Sequence, residues 1–323
     1  MKDSFGREIN YMRISLTDRC NFRCRYCMPE EGVADIGHDH ILTLEEIERI
    51  AAAAASLGVS KFRLTGGEPL VRKGVAGLVK NLAALPGVSE LAMTTNGSLL
   101  ADRAQELKAA GLSRVNISLD TLRPDRFQEI TRGGSLDDVI GGINAATDAG
   151  LKPVKLNVVI MKGFNDDEIL DFVQLTFQHE YEIRFIELMP IGQAAGENGY
   201  PYLSCEEIKA KLPALRPIAA AADEEGGVAE RFKYPGARGT LGFITPISNC
   251  FCSQCNKLRL TPDGKLKTCL HSNKEIDLRP ALEAGDGDSL RQVIREAVLA
   301  KEERHHLAEG AEPIARDMFR IGG

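Results

Sequence analysis

Three cysteines, Cys20, Cys24 and Cys27, stand in the spacing C-x3-C-x2-C. Thiolates this close in sequence can converge from one loop onto one inorganic centre. Eight cysteines scattered over 323 positions would match one fixed three-cysteine spacing roughly 0.005 times by chance, so the pattern carries information. Three thiolates leave one corner of a four-iron cluster without a protein ligand, and an open corner can bind an exogenous molecule. Core thiols, or part of a zinc site, are the plainer reading of the same residues. A second group, Cys252, Cys255 and Cys269, has the spacing C-x2-C-x13-C, with a turn at Pro262–Gly264 bringing the third cysteine back. It fits a second open cluster, or a zinc site completed by His271 or Cys250. Outside such roles, Cys205 and Cys250 read as small inert thiols. His305 and His306 read as a solvated helix face, since adjacent helical side chains diverge.

These groups need a scaffold. Six short runs, 12–16, 61–65, 91–95, 114–119, 154–160 and 183–188, read as strands alternating with helical segments, which predicts a parallel sheet. Thr43 and Glu46 form a capping box opening an Ala-rich helix that Gly58 closes, and a second helix, 101–110, ends at Gly111. Ligand sites in such α/β folds lie at the carboxyl ends of the strands. That rule selects Gly66-Gly67-Glu68-Pro69, Thr95-Asn96, Ser118 with Asp120, and Glu187 with Met189. A strand-to-helix turn with Pro at the first helical position, and ordinary turn or helix caps, would look similar one by one. The organisation read from this pass is 1–218, a variable linker at 219–238, and a C-terminal region at 239–323.

A formal charge of −6 with 43% hydrophobic residues describes a globular chain and argues against general nucleic-acid or acidic-membrane binding. The N-terminus carries no charged-then-apolar leader and no run of eighteen apolar residues occurs, so the expectation is a cytoplasmic protein that does not span a membrane. Against this acidic background, Arg13, Lys61, Arg63, Lys155 and Arg184 fall on expected strands, where a charge is costly unless it meets a partner. They read as a pocket for an anion, or as ion pairs to neighbours such as Asp120 or Glu187. No G-x4-G-K-[ST] motif occurs, so a P-loop is not the phosphate holder.

Tyr26 precedes the third cysteine, and C-x3-C-x-Y-C resembles the signature of radical S-adenosylmethionine (SAM) enzymes. Taken together, DRCNFRCRYCMP, RLTGGEPLVR, TTNG, NISLD, KLNVVIMKGFND, EIRFIELMP, FCSQCNKLRLTPDGKLKTCL and the closing Gly322-Gly323 are similar to the GTP 3′,8-cyclase family, also called molybdenum cofactor biosynthesis protein A. The resemblance implies an α/β fold, an incomplete (β/α)6 TIM-like barrel whose opening a C-terminal extension closes. It implies two [4Fe-4S] clusters, on Cys20, Cys24 and Cys27 and on Cys252, Cys255 and Cys269. SAM would be held by Tyr26, Gly67, Glu68, Thr95, Asn96, Ser118 and Met189. GTP would meet Arg13, Lys61, Arg63, Lys155, Arg184, Lys257 and Arg259, with Lys257 departing from the family's usual arginine. Gly322 and Gly323 would reach into the barrel and be needed for activity. The implied partners are an electron donor and the downstream cyclic pyranopterin monophosphate synthase, with room for a homodimer.

Overall fold

Alternation of apolar and polar residues builds the sheet. In the computed structural model, β1 (Tyr11–Ser15), β2 (Lys61–Thr65), β3 (Glu90–Thr95), β4 (Arg114–Ser118), β5 (Lys155–Ile160) and β6 (Glu182–Glu187) lie side by side in chain order, all parallel. Each boundary falls within one residue of the expected run. Met12, Ile14, Phe62, Leu64, Val115, Ile117, Ile183 and Phe185 are buried on the outer face in the hydrophobic core. Their neighbours in sequence, Arg13, Arg63, Asn116 and Arg184, turn inward to line a cavity. Burying the outer set against helices is the main driving force here. The structure describes the chain apart from residues 33–36, 38–39, 196–199, 219–227, 250, 306–313, 315 and 323.

The covering helices are α1 (Leu44–Ser56), α2 (Val75–Ala83), α3 (Ala104–Ala109), α4 (Pro124–Thr131), α5 (Leu136–Asp148) and α6 (Ile169–Gln178). The expected capping box opens α1: Glu46 N donates to Thr43 Oγ1 at 3.1 Å and Thr43 N to Glu46 Oε2 at 2.7 Å. After α7 (Cys205–Ala210) and the short β7 (Arg216–Pro217), β8 (Ala229–Lys233) and β9 (Thr240–Ile244) follow. β9 pairs parallel with β6, and β8 pairs antiparallel with β9. The stretch 219–238, expected as a linker, thus contains a strand; Arg231 and Phe232 pair there with Gly242 and Leu241.

At the other edge β10 (Lys257–Leu260) pairs parallel with β1, β11 (Lys265–Lys267) pairs antiparallel with β10, and β12 (Ile276–Asp277) antiparallel with β11. One twelve-stranded sheet results, from β12 at one edge to β7 at the other, and among the described residues its edges are not joined. It is a partial barrel with the C-terminal segments flanking its opening on both sides. Helices α8 (Arg279–Glu283) and α9 (Gly287–Leu299) follow, α9 packing on α1, and a last turn, α10 (Met318–Ile321), buries Phe319 and Ile321. No described helix is long and apolar enough to cross a membrane.

Candidate active site

The loop after β1 carries the first cysteines and is tied on several sides. Arg23 N and Arg25 N donate to Thr131 O and Ile130 O at the end of α4, at 3.0 and 2.9 Å, and Cys27 N and Met28 N both donate to Cys24 O at 2.9 Å. The loop after β2 lies against the same chain: Gly67 N reaches Thr17 O at 2.7 Å and Glu68 N reaches Arg19 O at 2.8 Å. A Cβ at Gly67 would stand 2.3 Å from Arg19 O, so the glycine is required by the approach of two backbones. Gly67→Ala is expected to cost about 1–3 kcal/mol through overpacking and to weaken SAM binding. A thermal melt and a SAM titration check both, and a variant unchanged in each would sink the idea.

Cys20, Cys24, Cys27, Tyr26, Gly67, Thr95, Asn96, Ser118, Asp120 and Met189 line one cavity of about 1190 Å³, open mouth included. Burial pushes the Cys20 thiol up to about 11, with Glu68 adding to the effect, and Cys27 up to about 12, and holds Cys24 well above its ordinary value, neighbouring thiols adding to the effect on these two. Three thiols that resist ionising alone but share one cavity suit a cationic centre, which would stabilise the thiolates. Cys20 Sγ also accepts from Phe22 N at 3.4 Å and Asn96 Nδ2 at 3.8 Å, the kind of hydrogen bond that tunes a cluster. Among the described residues neither cysteine trio is closed to the spacing of ligands around a single ion; the fit to a cluster rests on the donor set and its loops.

Glu68 is not in the wall. It is fully buried and accepts from Leu70 N at 3.0 Å, Thr95 Oγ1 at 2.8 Å and Asn96 N at 2.7 Å, so it positions two wall residues. Glu187 lines the cavity, and so does Asp120, which accepts from Tyr26 Oη at 2.7 Å and Val159 N at 2.9 Å and which burial raises to about 6. Its place at the end of β4 was the signal.

The second cavity, about 1140 Å³ with its mouth, is lined by Cys252, Cys255, Cys269, Arg13, Arg63, Arg184, Lys257 and Arg259, with His271 and His305. Burial lowers Arg13 to about 10, Arg63 to about 9 and Lys257 to about 8, and like-charged neighbours push the same way. Cations crowded into one buried space await an anion. Lys61 and Lys155 are not among the described lining residues. Lys155 is buried and pairs with Glu182 at 3.2 Å; Glu182 also holds Arg184, and Arg231 at 3.5 Å. For Lys155 and Arg184 the partner carboxylate is therefore Glu182. Asp120 and Glu187 are engaged elsewhere, Glu187 accepting from Cys205 N at 3.0 Å and Ser248 Oγ at 2.6 Å.

His305 is not on a helix: it follows α9, stands with its ring 4.6 Å from that of His271, and faces the second cavity. The solvated-face expectation fails for it because α9 ends at Leu299; His306 and Cys250 lie outside the described residues. Burial, with the charges of His305 and Arg259, holds His271 down at about 3, so it is a neutral imidazole. Cys205 is a buried thiol away from both trios, as expected.

Asn157, Ile186, Met189 and Met318 belong to the walls of both cavities. The final turn supplies part of that partition: Gly322 O accepts from Arg259 Nη1 at 3.1 Å, and a Cβ on Gly322 would meet Thr65 Cγ2 at 2.6 Å. Gly322 thus sits inside the barrel, while Gly323 lies outside the described residues. Buried Asn157 Oδ1, Asn116 Nδ2 and Thr94 Oγ1 find no hydrogen-bond partner among the described residues. All three line a cavity, and polar atoms left open in this way suit a ligand. Sequence reasoning passed over Asn116, Asn157 and Met318; strand alternation alone could have flagged the two asparagines.

A model of the Radical SAM superfamily matches residues 14–176, and one of Molybdenum Cofactor Synthesis C matches residues 181–307. The curated GTP 3′,8-cyclase of Alkaliphilus metalliredigens is 53% identical over 325 residues, and that of Moorella thermoacetica 54% identical over 326, each match spanning 100% of both chains. Among solved structures, SuiB of Streptococcus suis bound to S-adenosylmethionine superposes with a TM-score of 0.62 at 15% identity, covering 97% of this chain and 77% of that one; this likeness speaks to the fold. The cysteine loop, the open parallel barrel and full-length identity above one half agree: this chain belongs to the GTP 3′,8-cyclase family of radical SAM enzymes, which act in molybdenum cofactor biosynthesis.

Proposed function

We propose that the two cavities are the two halves of one radical cyclase site, making 3′,8-cyclo-7,8-dihydro-GTP from GTP in the first step of molybdenum cofactor biosynthesis. The observation that carries this is the shared partition: a cysteine-lined chamber and a cation-lined chamber separated by single side chains, Asn157, Ile186, Met189 and Met318. When bound on Cys20, Cys24 and Cys27, an iron–sulfur cluster supplies the electron that cleaves SAM to methionine and the 5′-deoxyadenosyl radical.

The chain's own residues bind, orient and exclude water. Tyr26, Thr95, Asn96, Ser118 and Met189 would meet SAM, with Gly67 and Glu68 holding their loops in register. Arg13, Arg63, Arg184, Lys257 and Arg259 would meet the triphosphate; the fork of each arginine suits paired phosphate oxygens, which the point charge of Lys257 matches less well. Lys61 would add to the positive field around the triphosphate, and Lys155, paired with Glu182, would help to hold Arg184's shared carboxylate in place. Cys252, Cys255 and Cys269 would hold a second four-iron cluster facing the base. Gly322, and Gly323 beyond it, would close the substrate space. Losing the C3′ hydrogen to the adenosyl radical and joining C3′ to C8 leaves one electron and one proton to be added, so we infer an external electron donor, and a downstream synthase that consumes the cyclised nucleotide. Residues 1–218 carry the SAM half and 239–323 the second centre; a homodimer is compatible with this arrangement.

The test is anaerobic reconstitution with iron and sulfide, followed by reductant, SAM and GTP. The expected result is 5′-deoxyadenosine formation that depends on GTP, together with a cyclised nucleotide and about eight irons per chain. Cleavage of SAM to 5′-deoxyadenosine that is equal with and without GTP, and no cyclised product, would overturn the assignment to GTP.

A further inference from the structure

The second cysteine trio is held in part by the backbone: Cys255 N donates to Cys252 O at 3.1 Å within one turn, and β10 pairs with β11 between Cys255 and Cys269. Cys252 sits in a single helical turn, Cys255 precedes β10, and Cys269 follows β11. Two buried cations from distant parts of the chain span the gaps. Lys301, 3% exposed, donates from Nζ to Lys257 O at 3.2 Å and to Thr268 O, two residues from Cys255 and one from Cys269. Arg7, 9% exposed, donates from Nη1 to Cys252 O at 2.9 Å and to Glu303 O at 2.7 Å, and from Nη2 to Glu302 O at 2.6 Å. Its own orientation is set by Asp3, whose carboxylate takes Arg7 Nε at 2.5 Å. Residues 301–303 are therefore a junction at which all three cysteine segments are fastened.

We infer that Lys301 and Arg7, meeting at residues 301–303, are positioning residues for the second cysteine trio, and that Lys301 supplies part of its counter-charge. The chemistry of the contacts carries this. A buried ammonium is expensive unless compensated, yet the described hydrogen-bond partners of Lys301 are two neutral carbonyls. Those carbonyls belong to the segments that carry Cys255 and Cys269, and an anionic thiolate-bound centre there would complete the pairing. Arg7 differs in having Asp3; its task is geometric, bridging positions 245 residues apart in sequence. The inference rests on the reading that this trio holds a cluster.

The test uses the full chain with Cys20, Cys24 and Cys27 replaced by alanine, so that only the second centre can load. The parent is expected to take up about four irons and give the signal of a reduced cluster in electron paramagnetic resonance. Adding Lys301→Met should weaken iron retention against a chelator roughly 10- to 100-fold, as loss of an outer-shell partner does, and shift the midpoint potential negative. Lys301→Arg should restore the potential. Arg7→Met should weaken retention and leave the potential nearer the parent's. In the chain with the first trio intact, Lys301→Met should still load the first centre, which separates the effect from misfolding. A Lys301→Met chain matching its parent in retention, signal and potential overturns the positioning role alone. A parent that takes up no iron overturns the second-cluster reading beneath it.

Discussion

Cys24→Ala is expected to abolish 5′-deoxyadenosine formation, to below roughly one thousandth of the parent rate, because the uncatalysed route is many orders slower still. Cys24 is the hinge of the first loop: its carbonyl receives both Cys27 N and Met28 N at 2.9 Å, and those bonds survive in alanine. The substitution therefore removes the thiol and leaves the loop. Burial and the surrounding thiols already hold that thiol well above its ordinary ionisation range, so only a metal centre gives it reason to ionise, and without it two ligands cannot retain a cluster. Iron analysis should show the loss of about four irons, with the second trio's share unchanged. Metal-free parent and variant should melt together in circular dichroism. A variant that keeps the SAM-responsive cluster signal and still releases 5′-deoxyadenosine would refute the assignment.

Glu182→Gln should be the most damaging substitution for stability outside the hydrophobic core. Its carboxylate, 2% exposed, faces the cations of Lys155, Arg184 and Arg231 together. Breaking a buried pair by removing one partner costs about 3–5 kcal/mol, since the survivor stays buried and uncompensated; here three survivors remain. A fall in melting temperature on the order of 10 °C follows. The pH dependence adds a second signature. Burial alone would raise Glu182, but Arg184 and Lys155 outweigh it and bring the group to about 2 from an ordinary 4.5. A carboxylate lowered in the fold stabilises above its unfolded value and loses that contribution as pH falls through the folded one. The parent should therefore lose stability between pH 4.5 and about 2 in a way the glutamine variant does not. Coincident melting curves for the two proteins across pH would contradict this account.

The strands were legible because they are half-buried: every outward position of β1 and β2, Met12, Ile14, Phe62 and Leu64, is apolar and the inward positions are not. The cysteine trios were legible because short loops bring close ligands together whatever the rest of the fold does. What alternation could not separate was depth. Arg63 and Lys61 share one strand and one face, as do Lys155 and Asn157, yet in each pair one residue lines a cavity and the other does not. Depth depends on stagger between strands, which no single strand encodes. Glu182 went unread because an acid opening a strand looks like a solvated end, and only the register opposite Lys155 reveals its company. Arg7, Lys301 and His305 act across separations that no local period reports, and β8 emerges only by pairing with β9.

The crowding of Arg13, Arg63, Lys257 and Arg259 around one chamber has a practical face. A ligand-free barrel with such an interior is steadied by any multivalent anion small enough to enter, in proportion to how fully that anion occupies the site. Phosphate or sulfate in a storage buffer would then protect the preparation and, on the proposed reading of the chamber, compete with the nucleotide. On that reading heat resistance and readiness to turn over would pull in opposite directions, with the buffer anion setting the balance between them.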